Sequence, residues 1–210
     1  MKHVGLNVAA DALFYASYTG VPGGLVIVVA DDPGMHSSQN EQDSRHYARF
    51  AKLPMLEPSD SQEAYDFVGL TFKISRQFEC PVLIRTTTRV AHSKSLVDTG
   101  GDHTPTEPNG AITFDYVMSN PAYYVMVPAN ARQRHVVVEQ RLKQLEEYAE
   151  GLSANVIEAG DRGLGIITGS IAYHYAREVF PQASFLKLGM SYPLPSRKIK
   201  DFAASVERLI

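Results

Sequence analysis

Six consecutive apolar positions, Leu25-Val26-Ile27-Val28-Val29-Ala30, follow Gly23-Gly24 and empty without pause into the polar stretch Asp31 to Asp43. An unbroken, mostly β-branched run of this length reads as a strand covered on both faces, as in a parallel sheet. Upstream, residues 7–18 are Ala-rich, with Val8, Ala12, Tyr15 and Ala16 on one helical stripe behind Asn7 as N-cap. Gly20, Pro22, Gly23 and Gly24 close that helix. Downstream, residues 45–52 predict a short helix and residues 55–58 a brief strand. Ser59-Asp60-Ser61-Gln62-Glu63 supplies cap residues and first-turn acids for a helix reaching about Phe78, and residues 81–87 form the next strand. This alternation of strands and helices predicts a parallel α/β unit.

The periodicity breaks between His92 and Asn130. Gly100-Gly101, Pro105, Pro108-Asn109-Gly110, Asn120-Pro121 and Pro128 interrupt every segment, and only residues 111–116 alternate like a strand. We read 1–95 as one α/β domain, 96–130 as an arm and 131–210 as a second, smaller α/β domain. The second opens on a long helix with Val138, Leu142, Leu145 and Ala149 inward. Strands over 155–159, 164–168 and 184–188 follow, with a helix capped by Gly169-Ser170 running to about Val179. A last helix opens at Pro195 and ends near Leu209. Three strands are few for a domain of this size.

Composition narrows the classes. A net charge of -3 argues against a nucleic-acid surface, which concentrates Lys and Arg. Cys80 is the single cysteine, so this chain holds neither a disulfide framework nor a cysteine-only metal or iron–sulfur site, which suits a reducing cytoplasm. It lies between a helix and a buried strand and reads as a core thiol. His103, His135 and His174 share no metal-ligand spacing. No apolar run approaches the roughly 20 residues of a membrane span, and the N-terminus lacks the order of a signal peptide. We expect a cytoplasmic protein bound to neither membrane nor nucleic acid.

The stretch 31–43 lies where ligands bind in open α/β sheets, outside the carboxyl end of a strand. Its only apolar side chain is Met35 besides Pro33, so burial alone does not offset the entropy of ordering it. Two readings stay open for His36, Ser37, Ser38, Gln39, Asn40, Gln42 and Asp43: contact with a substrate carbonyl or carboxylate or with a partner domain, or a loop whose acids and hydroxyls satisfy its own amides. Arg45 and Arg49 could pair a carboxylate bidentately, or be solvated on a helix. Gly163 to Ser170 lacks the Lys-Ser/Thr ending of a phosphate loop.

Three ordered blocks carry a resemblance. They are Met1-Lys2-His3-Val4-Gly5-Leu6-Asn7-Val8-Ala9-Ala10-Asp11, the segment Ala30 to Asp43, and Arg85-Thr86-Thr87-Thr88-Arg89-Val90-Ala91-His92-Ser93-Lys94. Together they closely resemble the thiamine-diphosphate-dependent 2-oxoacid:ferredoxin oxidoreductases, most nearly the α subunits of the indolepyruvate branch. Weaker similarity continues through Asn155 to Glu158 and Lys187 to Pro195. The resemblance implies most of a pyrimidine-binding domain followed by most of a transketolase-C-terminal-like domain. It places His3, Gly5, Leu6 and Asn7 beside the cofactor, and His36, Ser37, Ser38, Gln39, Asn40, Gln42, Asp43 and Arg45 at substrate or a domain interface. Arg85, Thr86, Arg89, His92 and Ser93 match the third block, with anchoring of the arm as their expected role.

The family's substrate turn and the glutamate that activates the cofactor would lie upstream of Met1, and its diphosphate-binding domain and cysteine-rich ferredoxin-like segment downstream. The resemblance therefore implies a fragment or split gene product, and no catalytic residue in this chain. Implied cofactors are thiamine diphosphate with Mg²⁺, shared with the missing domain, and 4Fe-4S clusters and CoA in the complete enzyme. Implied partners are the diphosphate-binding domain, a β/γ-type subunit, ferredoxin and a 2-oxoacid, in an oligomer. The alternative is a non-catalytic binding or assembly module on the same fold. Either way, the sheet edge left by absent N-terminal strands is expected to be exposed and to favour association.

Overall fold

Strand β1 (Val26–Asp31) grows from the predicted apolar run and pairs in parallel with β3 (Val82–Thr87), which pairs in parallel with β2 (Met55–Leu56). The computed structural model describes residues 1–100 and 120–210; the expected strand over 111–116, and His103, lie outside them. A fourth strand, β7 (Met190–Tyr192), completes the first sheet antiparallel to β2, giving the order β1-β3-β2-β7. The second sheet has the order β4-β6-β5, from β4 (Asn155–Glu158), β5 (Asp161–Gly169) and β6 (Ala183–Leu188). Here β5 and β6 are parallel and β4 is antiparallel to β6. Each sheet is thus a parallel core with one antiparallel edge, in a mixed α/β fold.

The helices follow the predicted order with instructive shifts. The first begins earlier than expected, as α1 (His3–Val8), and continues as α2 (Ala10–Thr19). Asn7 is therefore inside α1 rather than its cap. The buried side is Leu6, Leu13 and Ser17, whereas Val8 and Tyr15 are exposed. Ser17 is tolerated there because its hydroxyl donates to Ala51 O at 2.7 Å. Next come α3 (Arg45–Ala51), α4 (Ser61–Phe78), α5 (Thr88–His92) and α6 (Pro121–Tyr124). At the start of α4 the expected caps are in place. Asp60 accepts the Glu63 amide at 2.8 Å, and Glu63 in turn accepts the amide and hydroxyl of Ser59 at 2.8 and 2.7 Å.

The long helix α7 (Pro128–Gly151) buries Val138, Leu145 and Ala149. It also buries two arginines that periodicity assigns to the polar side. Arg134 Nε donates to Tyr18 O at 2.8 Å and Arg141 Nη2 to Ser17 O at 2.7 Å. Both cations thus sit on the last carbonyls of α2, where a helix end carries partial negative charge. Leu145, Ala149 and Leu152 share one core cluster with Leu83, Met55 and Val29 of the first sheet. Helix α8 (Ser170–Val179) packs on β5 and β6, around Phe185 and Tyr173. Helix α9 (Ser196–Ala204) ends earlier than predicted, because the last residues leave it for a parallel bridge between Leu209 and Gly165.

Residues 189–192 link the two sheets. Gly189 N donates to Ala154 O at 3.1 Å, Gly189 O accepts Glu57 N at 2.8 Å, and Met190 N donates to Asn155 Oδ1 at 3.0 Å. The outer edge of β1 carries a short parallel bridge, Lys2 with Ala30, and the Met1 amino group donates to Val28 O at 2.5 Å, while Val28 stays 48% exposed. Among the described residues no helix is long and apolar enough to cross a membrane.

Two glycine substitutions separate packing from propensity. A Cβ at Gly189 would lie 2.5 Å from Ala154 O, so Gly189→Ala is expected to lower the midpoint of chemical unfolding by displacing β7. A Cβ at Gly69, inside α4, meets nothing within 4 Å, so Gly69→Ala should raise stability by about 0.5–1 kcal/mol in the same assay.

Candidate functional site

The carboxyl ends of β1, β2 and β3 converge on one buried guanidinium. Alternation along β3 puts Arg85 and Thr87 on the same side of the strand. Arg85 Nε donates to Asp31 Oδ2, at the end of β1, at 2.6 Å. Its Nη1 donates to Glu57, just past β2, and its Nη2 lies 3.9 Å from Asp43 Oδ1. Arg85, Asp31 and Glu57 are all buried. Burial opposes the charge on Arg85, but Glu57 and Asp31 outweigh it and its pKa is raised above the ordinary arginine value. Arg85 therefore anchors the strand ends and the loop beyond them, rather than the arm.

The loop is built on two adjacent acids. Asp31 accepts the amide of Ser44 at 3.0 Å and its hydroxyl at 2.5 Å, pinning the far end of the loop beside its start. Asp32 accepts the Ser37 amide at 2.9 Å and the hydroxyls of Thr88 at 2.7 Å and Ser38 at 2.8 Å. Those bonds, the Ser37 amide foremost, hold the Asp32 carboxyl far below the usual carboxylate range. Asp43 clasps Arg45 through both oxygens, at 2.6 to 3.0 Å. Burial pushes the Asp43 carboxyl up, but the Arg45 guanidinium pulls it further down, to about 2.

The predicted residues separate accordingly. The side chains of Ser38 and Asp43 hold the loop's own shape, whereas Ser37 does so only through its backbone amide and is itself exposed. Gln42 Nε2 bonds Asn40 Oδ1 at 3.0 Å, and its buried Oε1 has no partner. His36, Gln39, Asn40 and Arg45 form an exposed rim. The N-terminal group is brought to the same end of the sheet: Lys2 bridges to Ala30, and Lys2 Nζ donates to Ser37 O at 3.2 Å. Leu6 is core, and Asn7 accepts the Tyr47 hydroxyl. A Cβ at Gly5 would approach the Met1 side chain at 3.3 Å. His3 is 1% exposed, and neither ring nitrogen has a hydrogen-bond partner.

Of the other residues in the third block, Arg89 and His92 are exposed, and Ser93 Oγ donates to Val90 O at 2.8 Å. Cys80 is fully buried, and burial pushes its thiol up to about 11, as expected of a core cysteine. Among the described residues no cluster of His, Cys, Asp and Glu could hold a metal ion. An open groove of about 960 Å³ lies elsewhere, against Phe14, Phe50 and His135. Sequence reasoning missed Glu57 and the pairing role of Asp31. The available signal was a charged residue closing each of three apolar strands.

No family model matches the chain. Curated relatives do, along its whole length. The indolepyruvate oxidoreductase subunit IorA of Methanothermobacter thermautotrophicus is 40% identical over 217 residues, covering 100% of this chain and 34% of the relative. The IorA proteins of Archaeoglobus fulgidus and Pyrococcus abyssi are 39% and 42% identical, again over all of this chain. The chain is similar to about one third of each of these IorA proteins. It spans about 34% of the length of these IorA relatives. In fold it is similar to a 2-oxoglutarate:ferredoxin oxidoreductase from Magnetococcus marinus, with TM-score 0.63 and 14% identity over 99% of this chain and 44% of that one.

Removing the anchor should be far more damaging than removing the rim. Arg85→Met leaves two buried carboxylates unpaired and is expected to destabilise by about 3–5 kcal/mol, whereas Arg45→Met at the exposed pair should change less than about 1 kcal/mol in the same denaturation series. The acids set a pH window. Asp32 and Asp43 both titrate lower when folded than unfolded, so their stabilisation is complete above about pH 4 and is lost as pH falls through the folded values. Hydrogen-exchange protection of the Ser37 amide, held by Asp32, and of the Arg45 amide, which donates to Asp43 Oδ1 at 3.0 Å, should persist through about pH 4 and fade only as pH falls through the folded carboxyl values.

Proposed function

We propose that the chain is the α-subunit portion of an indolepyruvate or arylpyruvate:ferredoxin oxidoreductase. That activity oxidatively decarboxylates a 2-oxoacid to an acyl-CoA on thiamine diphosphate and passes electrons through iron–sulfur clusters to ferredoxin. The carrying observation is the roughly 40% identity to IorA proteins over the whole length of the chain. Residues 1–95 serve as the pyrimidine-binding-like domain, 96–130 as the arm and 131–210 as the transketolase-C-terminal-like domain. Mg²⁺, a diphosphate-binding domain and a β/γ-type subunit complete the site in an oligomer in the cytoplasm.

One orphan in the fold fits a bound cofactor. A buried imidazole with both nitrogens unpartnered is costly unless something polar reaches it, and His3 is such a group at the carboxyl end of β1. Thiamine diphosphate supplies the carbanion chemistry when bound, and the protein binds and orients. His3, Gly5, Leu6 and Asn7 form the wall on the cofactor side. His36, Gln39, Asn40 and Arg45 face substrate or the neighbouring domain, held out by Asp31, Asp32 and Arg85. The internal use of the Ser38 and Asp43 side chains favours a second reading, an assembly module without chemistry.

Calorimetry separates the two. Thiamine diphosphate with Mg²⁺ is expected to bind only when a diphosphate-binding domain of an IorA protein is supplied in trans, and His3→Ala should weaken that binding about tenfold or more. Heat from the chain alone would contradict the shared site, and none from the mixture would leave the assembly module.

A further inference from the structure

Beside the amino ends of β1 and β3, away from the polar loop, two buried arginines have no acid to balance them. Arg134 is 6% exposed and Arg141 4%, and both project from α7 at a cavity of about 250 Å³. Phe78 and Glu79 line it from the end of α4, and Tyr123 from α6. The cavity shares no residue with the polar loop or with the N-terminal group assigned to the thiamine cofactor, so a ligand there is separate from the proposed chemistry.

Both guanidiniums donate to neutral groups. Arg134 Nε reaches Tyr18 O at 2.8 Å, and Arg141 Nη2 reaches Ser17 O at 2.7 Å and Ser17 Oγ at 3.2 Å. The Tyr123 ring covers one face of Arg134, its centre 3.8 Å from the guanidinium carbon. Among the described residues no carboxylate oxygen lies within 4.0 Å of a nitrogen of either arginine. The one acid lining the cavity, Glu79, is exposed and accepts the Tyr123 hydroxyl at 2.7 Å. The end of α2 offers only about half a unit of negative charge to the two cations. Arg85 provides the contrast: its acids raise its pKa despite burial, whereas burial, reinforced by Arg134, lowers that of Arg141. Buried charges are ordinarily paired, so two left over at one cavity call for an anion.

The donors left over suit an oxyanion. Arg141 Nε is sealed from any ligand, and its Nη1 is the group left to meet one. Arg134 keeps its Nη pair, the edge of a planar fork that matches two oxygens at once. Gln140 and Gln144, exposed at the rim, add neutral amide donors. The volume falls below the roughly 300 Å³ at which sites for larger organic ligands begin, and it accommodates one compact anion with a few waters. We propose that this cavity binds a phosphate-sized oxyanion between Arg134 and Arg141, either free or as the phosphoryl end of a small phosphomonoester. Because Arg134 touches both Tyr123 and Tyr18, the bound anion holds α6 and the end of α2 onto α7.

The test is calorimetric titration of the 210-residue chain with inorganic phosphate, sulfate and glycerol 3-phosphate, at an ionic strength fixed with chloride. Saturable binding of phosphate or sulfate identifies a free oxyanion, and tighter binding of glycerol 3-phosphate than of either identifies a phosphomonoester. Saturation by none of the three overturns the proposal. At roughly a hundredfold excess over its dissociation constant, the anion should raise the thermal midpoint by about 5 °C or more. Val137 lines the cavity at 38% exposure, three positions after Arg134 and four before Arg141. Val137→Glu therefore gives both arginines a carboxylate from their own helix. It should lower anion affinity about tenfold or more while leaving the midpoint of the unliganded protein equal or higher, which separates a bound ion from general salting of the surface. Arg141→Met should lower affinity by a similar factor. Unchanged binding by a folded Val137→Glu protein overturns the site, whatever the stability of the Arg141 variant.

Discussion

A guanidinium buried at the end of a parallel sheet has to be matched charge for charge, because an unpaired ion there is far more expensive than the same ion in water. Arg85 meets that demand by drawing Asp31 from β1 and Glu57 from beyond β2 onto one point of β3. The pairing of β1 with β3 places Asp31 opposite Thr87. A slip of one residue would turn Arg85 to the other side of the sheet and strand all three charges. Register, the descent of the polar loop and the position of its rim are thus tied together. Because Asp31 also clamps Ser44, thirteen residues of weakly apolar chain are shaped by hydrogen bonds rather than by burial.

How far the sequence revealed this follows from what kind of signal each part leaves. The apolar runs at 25–30 and 82–84 and the caps around Asp60 are local, and they announced their strands and helix directly. Three residues at 190–192 are too short for any periodicity, so β7 was invisible and its pairing with β2 equally so. Arg134 and Arg141 look like solvent-facing residues on α7 because the reason for burying them, the last carbonyls of α2, is more than a hundred positions away. The early start of α1 was hidden by Asn7, a good cap by type that instead receives the Tyr47 hydroxyl.

The candidate site divides along the same line. Residue types marked 31–45 as a polar loop at a strand end, and that placement holds. They did not reveal which members work inward. Asp32 takes three hydrogen bonds and Asp43 takes Arg45, whereas His36 and Gln39 stay at the rim, and only the folded geometry separates these roles.

Residues 189–192 close the first sheet, yet they follow β2 only after α7 and all of the second sheet. Until then β2 has one open edge, and Glu57 N lacks the Gly189 carbonyl that later accepts it. On a ribosome, the first sheet would therefore wait through the synthesis of α7 and all of the second sheet before its last strand could dock. Such pairing between distant parts of the chain slows folding, since the loop must be closed before the contacts repay it. It also makes the two sheets one cooperative unit: loosening either sheet opens the same seam.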